Sequence, residues 1–359
     1  MFCIAAFIVL FICGAFSATY RESARKAWHC VLRRVTFRPC DINFSEVMKG
    51  KLIGKLIVVH PRLARFFDRW IDWFAWIFVA LSVWSLGAVL LAGVNFLVYD
   101  TCNPQHSEDC SLSGEACSIN SYTPTLWESV RQGHPLVWLG NEADTLRNTF
   151  GMLPARFRTW HPEDYLSADN SWYLPFDPAK PVALEIVDPG CHACASLFGN
   201  IKTTGFEDRH NLTYIAYPIP DAKSWSHYKF INSYLIATWL EAMKQVSPQE
   251  ATSKVAPDWR LLERIYTGSD SRGAKWQESF NLRYDPDQAR AILAEFCREF
   301  GYSEGQVEQI RRLAASEEVA AKIRSHKAVV EQRIRTVKIP TIFFGGRRYD
   351  RVVAPDRLK

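Results

Sequence analysis

Two uncharged stretches break the pattern of polar and apolar positions near the start of the chain. Residues 2–18, FCIAAFIVLFICGAFSA, and residues 73–99, WFAWIFVALSVWSLGAVLLAGVNFLVY, carry no charged side chain. The second is long enough to cross a bilayer with some tilt, and its terminal aromatics (Trp73, Phe74, Trp76 and Phe96, Tyr99) suit the two headgroup layers. Transmembrane helices are therefore expected at 1–19 and 73–99. The first stretch also resembles the apolar region of a secretory signal, with small residues at Ala15 to Ala18, although no Lys or Arg precedes it.

Farther along, six mostly apolar residues, Val182 to Val187, have the length and composition of a buried strand and stop at Asp188-Pro189-Gly190. A helix starting near Cys191 would place Leu197, Phe198 and Ile201 on one face. Residues 212–217, LTYIAY, read as a second strand, which makes a βαβ unit of a parallel sheet. Helical patterns follow at 228–246, 286–300 and 304–335. Residues 336–344 are extended, Gly345-Gly346 signals a tight turn, and 349–353 return as a paired strand. The stretch 100–180 reads as an irregular lead-in with one helix near 141–150. The expected organisation is thus an α/β domain over 181–359 with a helical insertion at about 221–335, behind two membrane helices.

Charge sets the expected topology. Residues 20–72 hold twelve basic against five acidic side chains, and such loops stay on the cytoplasmic side. Residues beyond Tyr99 then face the extracytoplasmic side. The basic excess of this loop is enough to account for the formal net charge of +5, and orientation and anionic lipid headgroups explain the positive charge. No nucleic-acid partner is expected, and the lipid bilayer is.

Ten cysteines are distributed across this topology. Six (Cys102, Cys110, Cys117, Cys191, Cys194, Cys297) would lie outside, where disulfides persist, and two of Cys102, Cys110 and Cys117 are expected to staple the segment next to the membrane. Within CHAC, Cys191 and Cys194 lack the further ligands a zinc site needs, and Ala195 stands where haem attachment needs His. A redox couple has the stronger physical basis. A sulfur at a helix start meets unpaired N–H groups and the positive end of the helix dipole, which favour thiolate. Cys191 would attack and Cys194, one turn on, would resolve. His192 would stabilise the thiolate, or else be an exposed spacer. Glu185, inside an apolar strand, would accept the proton of the resolving thiol, or else face solvent at a strand edge.

Pro189-Gly190-Cys191-His192-Ala193-Cys194, Glu185 six places earlier, and Ile339-Pro340-Thr341 ahead of Ile342-Phe343-Phe344 resemble the thioredoxin superfamily over about 182–353. The helical filling between the two motifs resembles its DsbA-type branch. That resemblance implies a thioredoxin-like fold and a cis Ile339-Pro340 bond facing the active-site disulfide. It also implies a substrate-binding edge at Ile339, Pro340 and Thr341, where an extended peptide adds as a strand. It further implies thiol-disulfide exchange with protein thiol or disulfide substrates, a membrane redox partner that recycles the couple, and no cofactor and no metal. Two features depart from the pattern: thioredoxin itself has Gly where His192 stands, and no closing helix is expected after the last strand, leaving an edge for the lead-in or a partner to cover. Two rival readings carry weight. One is an electron relay serving a membrane assembly, with Cys30 and Cys40 on the inner side. The other is a non-catalytic binding module with CHAC as a fixed disulfide.

Overall fold

The computed structural model describes residues 61–105, 115–119, 123–221, 224–249 and 253–359, with Arg25, Trp28, His29, Gly50 and Gly54 besides. The apolar stretch 2–18, Cys30 and Cys40 lie outside the described residues. The chain divides into two units, 1–91 and 92–359.

Helix α1 runs Pro61–Tyr99, 39 residues. It begins earlier than the expected span, so the last part of the basic loop is helical; Pro61, with its fixed φ and no N–H, suits the first turn. Within it Trp73–Tyr99 is long and apolar enough to cross a membrane. Trp73, Leu81, Val83, Leu86 and Leu90 are 61–66% exposed, an apolar surface that water would penalise and lipid would not.

The lead-in is more regular than its composition suggested. It holds β1 (Cys117–Ser118), α2 (Leu126–Arg131), α3 (Pro135–Phe157) and a 3₁₀ turn at Pro162–Tyr165. Thr125 and Glu128 form a capping box that starts α2. Pro135 opens α3, which extends well beyond the expected 141–150.

Strand β2 (Val182–Val187), helix α4 (His192–Thr204), the short α5 (Phe206–Arg209) and β3 (Asn211–Ala216) form the βαβ unit. A hairpin of β4 (Pro220–Asp221) and β5 (Ser224–Tyr228) ends where the helix expected from 228 would begin, a turn follows, and α6 occupies only Ser233–Met243. Then come α7 (Pro257–Thr267), α8 (Trp276–Leu282), α9 (Pro286–Glu299), α10 (Glu304–Ala314) and α11 (Glu317–Ala328), which continues as a π-helical stretch at Val329–Ile334. The expected 304–335 helix is broken because the Ser316 hydroxyl accepts from Val319 N and caps a new start.

The chain returns through β6 (Lys338–Ile339), β7 (Thr341–Phe344) and β8 (Arg347–Tyr349). Gly345 and Gly346 have φ of 54° and 73°, which a two-residue hairpin turn demands and L side chains resist. Pairing therefore resumes at Arg347 rather than at 349.

The four-stranded sheet has the order β3-β2-β7-β8, with β2 parallel to β3 and antiparallel to β7. This is a mixed α/β sheet of the kind the resemblance above implies. Leu197, Phe198 and Ile201 of α4 are fully buried, each contributing roughly 1.5–3 kcal/mol of apolar burial. The lead-in covers the outer edge of β3: Tyr173 N donates to Leu212 O at 2.9 Å, and Thr213 Oγ1 donates to Ser171 O at 2.8 Å. On the other side Val352 N donates to Glu115 O at 3.0 Å.

Candidate active site

The apolar run of β2 ends at Val187, and Asp188-Pro189-Gly190 turns the chain so that Cys191 becomes the N-cap residue of α4, with φ −79° and ψ 118°. The sulfur therefore sits where the first N–H groups of α4 have no intrahelical partner. Buried Asp188 shapes the turn: its Oδ1 accepts from Gly190 N at 2.7 Å and Ser233 Oγ at 2.5 Å, and its Oδ2 from Ile219 N at 2.6 Å. Burial still pushes its pKa up to about 6.

Side chains from the helical insertion hold all four carbonyls of the turn. Tyr266 OH donates to Asp188 O at 3.0 Å, and Gln277 Nε2 donates to Pro189 O at 2.9 Å and to Cys191 O at 3.0 Å. Asn281 Nδ2 donates to Gly190 O at 2.8 Å. The turn approaches so closely that a Cβ on Gly190 would lie 2.4 Å from the Phe230 Cβ. A cleft of about 600 Å³ opens beside the first turn of α4, lined by His192, Ser196, Lys229, Phe230, Gln277 and Leu282 among others.

Cys191 is disulfide-bonded to Cys117, not to Cys194, with S–S 2.05 Å and Cα–Cα 6.3 Å. The disulfide is thus not the one expected within CHAC. Of the three cysteines at 102–117, Cys117 is the one bonded here, and Cys102 is itself in a disulfide. Both bonded sulfurs are buried: Cys191 is 0% exposed and Cys117 is 1% exposed. The physical reason is β1. Its residues pair antiparallel with β6, Cys117 opposite Ile339 and Ser118 opposite Lys338, and Ile119 N donates to Val337 O at 2.9 Å. That register carries the Cys117 sulfur to Cys191.

The Ile339-Pro340 bond is cis, and Ile339 O lies 3.7 Å from Cys191 Sγ. Within the disulfide this sulfur has no proton, so the approach is a contact; a thiol there would have an acceptor. Thr341 is turned away from the edge, its hydroxyl 2.8 Å from Thr336 Oγ1 and donating to Asp350 Oδ1 at 2.9 Å. It anchors the loop rather than lining the groove. Lys338 is buried and donates to Asp100 O at 2.9 Å; burial lowers its pKa to about 8.

His192 is exposed, and its Nδ1 lies 3.8 Å from Cys117 Sγ. Cys194 is a free thiol, fully buried. Its pKa is pushed far up, by burial first and then by the charge of Glu185. Glu185 is 0% exposed, sits opposite Ile342 and Tyr214, and neither carboxylate oxygen has a hydrogen-bond partner among the described residues. Burial alone raises its pKa to about 8. The strand-edge reading of Glu185 is thereby overturned. Tyr266, whose phenol interacts with both Asp188 and Cys194, completes this inner cluster. Among the described residues no group of three or more His, Cys, Asp or Glu could hold a metal ion.

Sequence reasoning missed Cys117, Asp188, Tyr266, Gln277 and Asn281 as parts of the site. A two-residue strand has no periodicity to read. The one available signal for Cys117 was parity, since three cysteines at 102–117 cannot all pair among themselves.

No family model matches the chain, and no curated protein matches it. Solved structures similar to it include a thioredoxin-like oxidoreductase from Silicibacter pomeroyi, at 16% identity over 54% of this chain and 90% of that one, TM-score 0.36. Another is the thiol-disulfide exchange protein alpha-DsbA2 from Wolbachia pipientis, at 10% identity over 55% and 87%, TM-score 0.39. A third is ScsC from Proteus mirabilis, at 13% identity over 65% and 91%, TM-score 0.37.

Proposed function

We propose that the chain is a membrane-anchored thiol-disulfide oxidoreductase whose α/β domain faces the extracytoplasmic side and exchanges disulfides with exported proteins. One observation carries this reading: the sulfur at the start of α4 is covalently joined to an extended segment that pairs with the backbone of Ile339. A peptide bound by strand addition and linked through one sulfur has the form of a mixed disulfide.

In this reading Cys191 is the exchanging sulfur, favoured as an anion by the N-terminus of α4. Cys194 attacks Cys191 to release a bound substrate. Glu185, once ionised as the pH approaches 8, takes the Cys194 proton, and His192 supplies a proton to the departing sulfur. Ile339 and Pro340 shape the edge on which the substrate lies, and Thr341 fixes that edge from behind. A membrane redox partner resets the couple. The basic loop supports the orientation, and Trp73–Tyr99 supports the anchor.

Complete burial of both bonded sulfurs favours one rival, a permanent Cys117–Cys191 cross-link in a non-catalytic module. Catalysed insulin reduction and reoxidation of a reduced protein substrate separate the two. The full chain should catalyse at least one, and Cys191→Ser should lose at least about a hundredfold in rate, as expected when the nucleophile is removed. Equal activity in Cys191→Ser rejects the proposal.

A further inference from the structure

The Cys117 segment occupies the position that the proposed function assigns to a substrate. It is extended, it runs antiparallel along Lys338–Ile339, and its reactive side chain is bonded to Cys191. It also blocks the edge: Ser118 and Ile339 are fully buried beneath the pairing. Meanwhile Cys194, the ordinary partner of Cys191 in such a couple, is left as a thiol. Resting on the exchange reading, we infer that Cys117 is a third catalytic cysteine, an internal substrate that holds the disulfide at Cys191 and is displaced by Cys194 to open the groove.

The displacement balances within the chain. In the molecules where Glu185 is ionised, the Cys194 thiol gives its proton to that carboxylate, and the resulting thiolate attacks Cys191 Sγ. The Cys191–Cys194 bond forms as the Cys117–Cys191 bond breaks, and Cys117 leaves as a thiolate. His192 Nδ1, 3.8 Å from that sulfur, is placed to donate a proton to it. No electrons enter or leave, so the step is an isomerisation between two one-disulfide states. In the first state the disulfide is stored and the groove is filled. In the second the Cys191–Cys194 disulfide faces an edge that only a few hydrogen bonds from β1 still cover.

A tethered occupant competes strongly with a free one. An effective concentration of about 1 mM against a substrate peptide at about 20 µM gives a disadvantage of roughly fiftyfold for the free peptide. Removing the Cys117 sulfur should relieve most of it.

The test uses the full chain in detergent micelles, oxidised in a glutathione buffer, acid-quenched, alkylated and digested for disulfide mapping by mass spectrometry. Wild type and Cys194→Ser should yield the Cys117–Cys191 peptide pair, and Cys117→Ser should yield Cys191–Cys194. In the same buffer, the first turnover of a fluorescent dithiol peptide should be roughly 10–100-fold faster in Cys117→Ser than in wild type. Cys117→Ala serves as a second variant, and circular dichroism confirms that both variants fold. A wild-type digest containing only Cys191–Cys194, or equal turnover in wild type and both variants, overturns the inference while leaving the exchange reading intact. Mapping of Cys117–Cys191 with no turnover in any of the three proteins sinks the exchange reading and the inference with it.

Discussion

Replacing Glu185 by Gln should remove a pH dependence that the buried carboxylate imposes on stability. Glu185 is fully buried with no hydrogen-bond partner among the described residues, and burial raises its pKa from 4.5 to about 8. Between those values the folded protein holds the proton and the unfolded chain has released it. The folded state binds more protons there, so stability is full below pH 4.5 and is lost as pH rises toward 8. The span from 4.5 to about 8 corresponds to an upper bound of about 5 kcal/mol at 1.36 kcal/mol per unit. Access of water on relaxation would reduce it to a few kcal/mol. Asp188, raised to about 6, and His326, lowered to about 3 by burial, add their own slopes, but they are common to both proteins and cancel in the difference. The assay is denaturant unfolding of the full chain and of Glu185→Gln in detergent, followed by tryptophan fluorescence from pH 5 to 8.5. The variant should gain on the wild type as pH rises, with the difference changing by up to about 1.4 kcal/mol per unit. Its exchange rate should nevertheless fall near and above pH 8, where Glu185 is ionised, because the Cys194 proton has lost its acceptor. Parallel stability profiles would refute the reasoning, since they would mean that Glu185 titrates as an ordinary solvated carboxylate.

Gly190→Ala places a Cβ 2.4 Å from the Phe230 Cβ and 2.9 Å from Asn281 Oδ1, so it should cost about 1–3 kcal/mol, read as a lower thermal midpoint, and should slow exchange; an unchanged midpoint would contradict the packing described. Gln277→Ala leaves the Pro189 and Cys191 carbonyls without their side-chain donor, and should lower stability by roughly 1–3 kcal/mol and slow exchange about tenfold through misplacement of Cys191, measured by peptide turnover beside thermal unfolding. In membrane vesicles, protease added on the extracytoplasmic side should digest residues beyond Tyr99 and spare an epitope within 20–72, as the charge asymmetry requires; the reverse protection pattern would overturn the orientation.

The chain announces some of this plainly and conceals the rest for identifiable reasons. Val182 to Val187 is apolar on both faces because β2 is central, paired to β3 and β7 at once, so composition alone marks it. The cis Ile339-Pro340 bond was reachable only through the resemblance, because isolated X–Pro bonds are rarely cis. Glu185 stood out because a carboxylate within such a run needs a task or a partner. Cys117 did not: its strand exists only through pairing with β6, and 74 residues separate it from Cys191. Tyr266, Gln277 and Asn281 lie on the insertion, and their value comes from tertiary placement over four carbonyls, which leaves no local trace. The return strand began two residues early because a tight turn needs only its two glycines.

The most direct measurement follows covalent capture at each sulfur. Cys117→Ser/Cys194→Ser and Cys117→Ser/Cys191→Ser, both in the full chain, are offered a cysteine peptide activated as a mixed disulfide, and adducts are mapped by mass spectrometry. The account predicts rapid, thiol-reversible adducts on Cys191 in the first protein and slow or absent adducts on Cys194 in the second. Capture at Cys194 as fast as at Cys191, or none at Cys191, would contradict it.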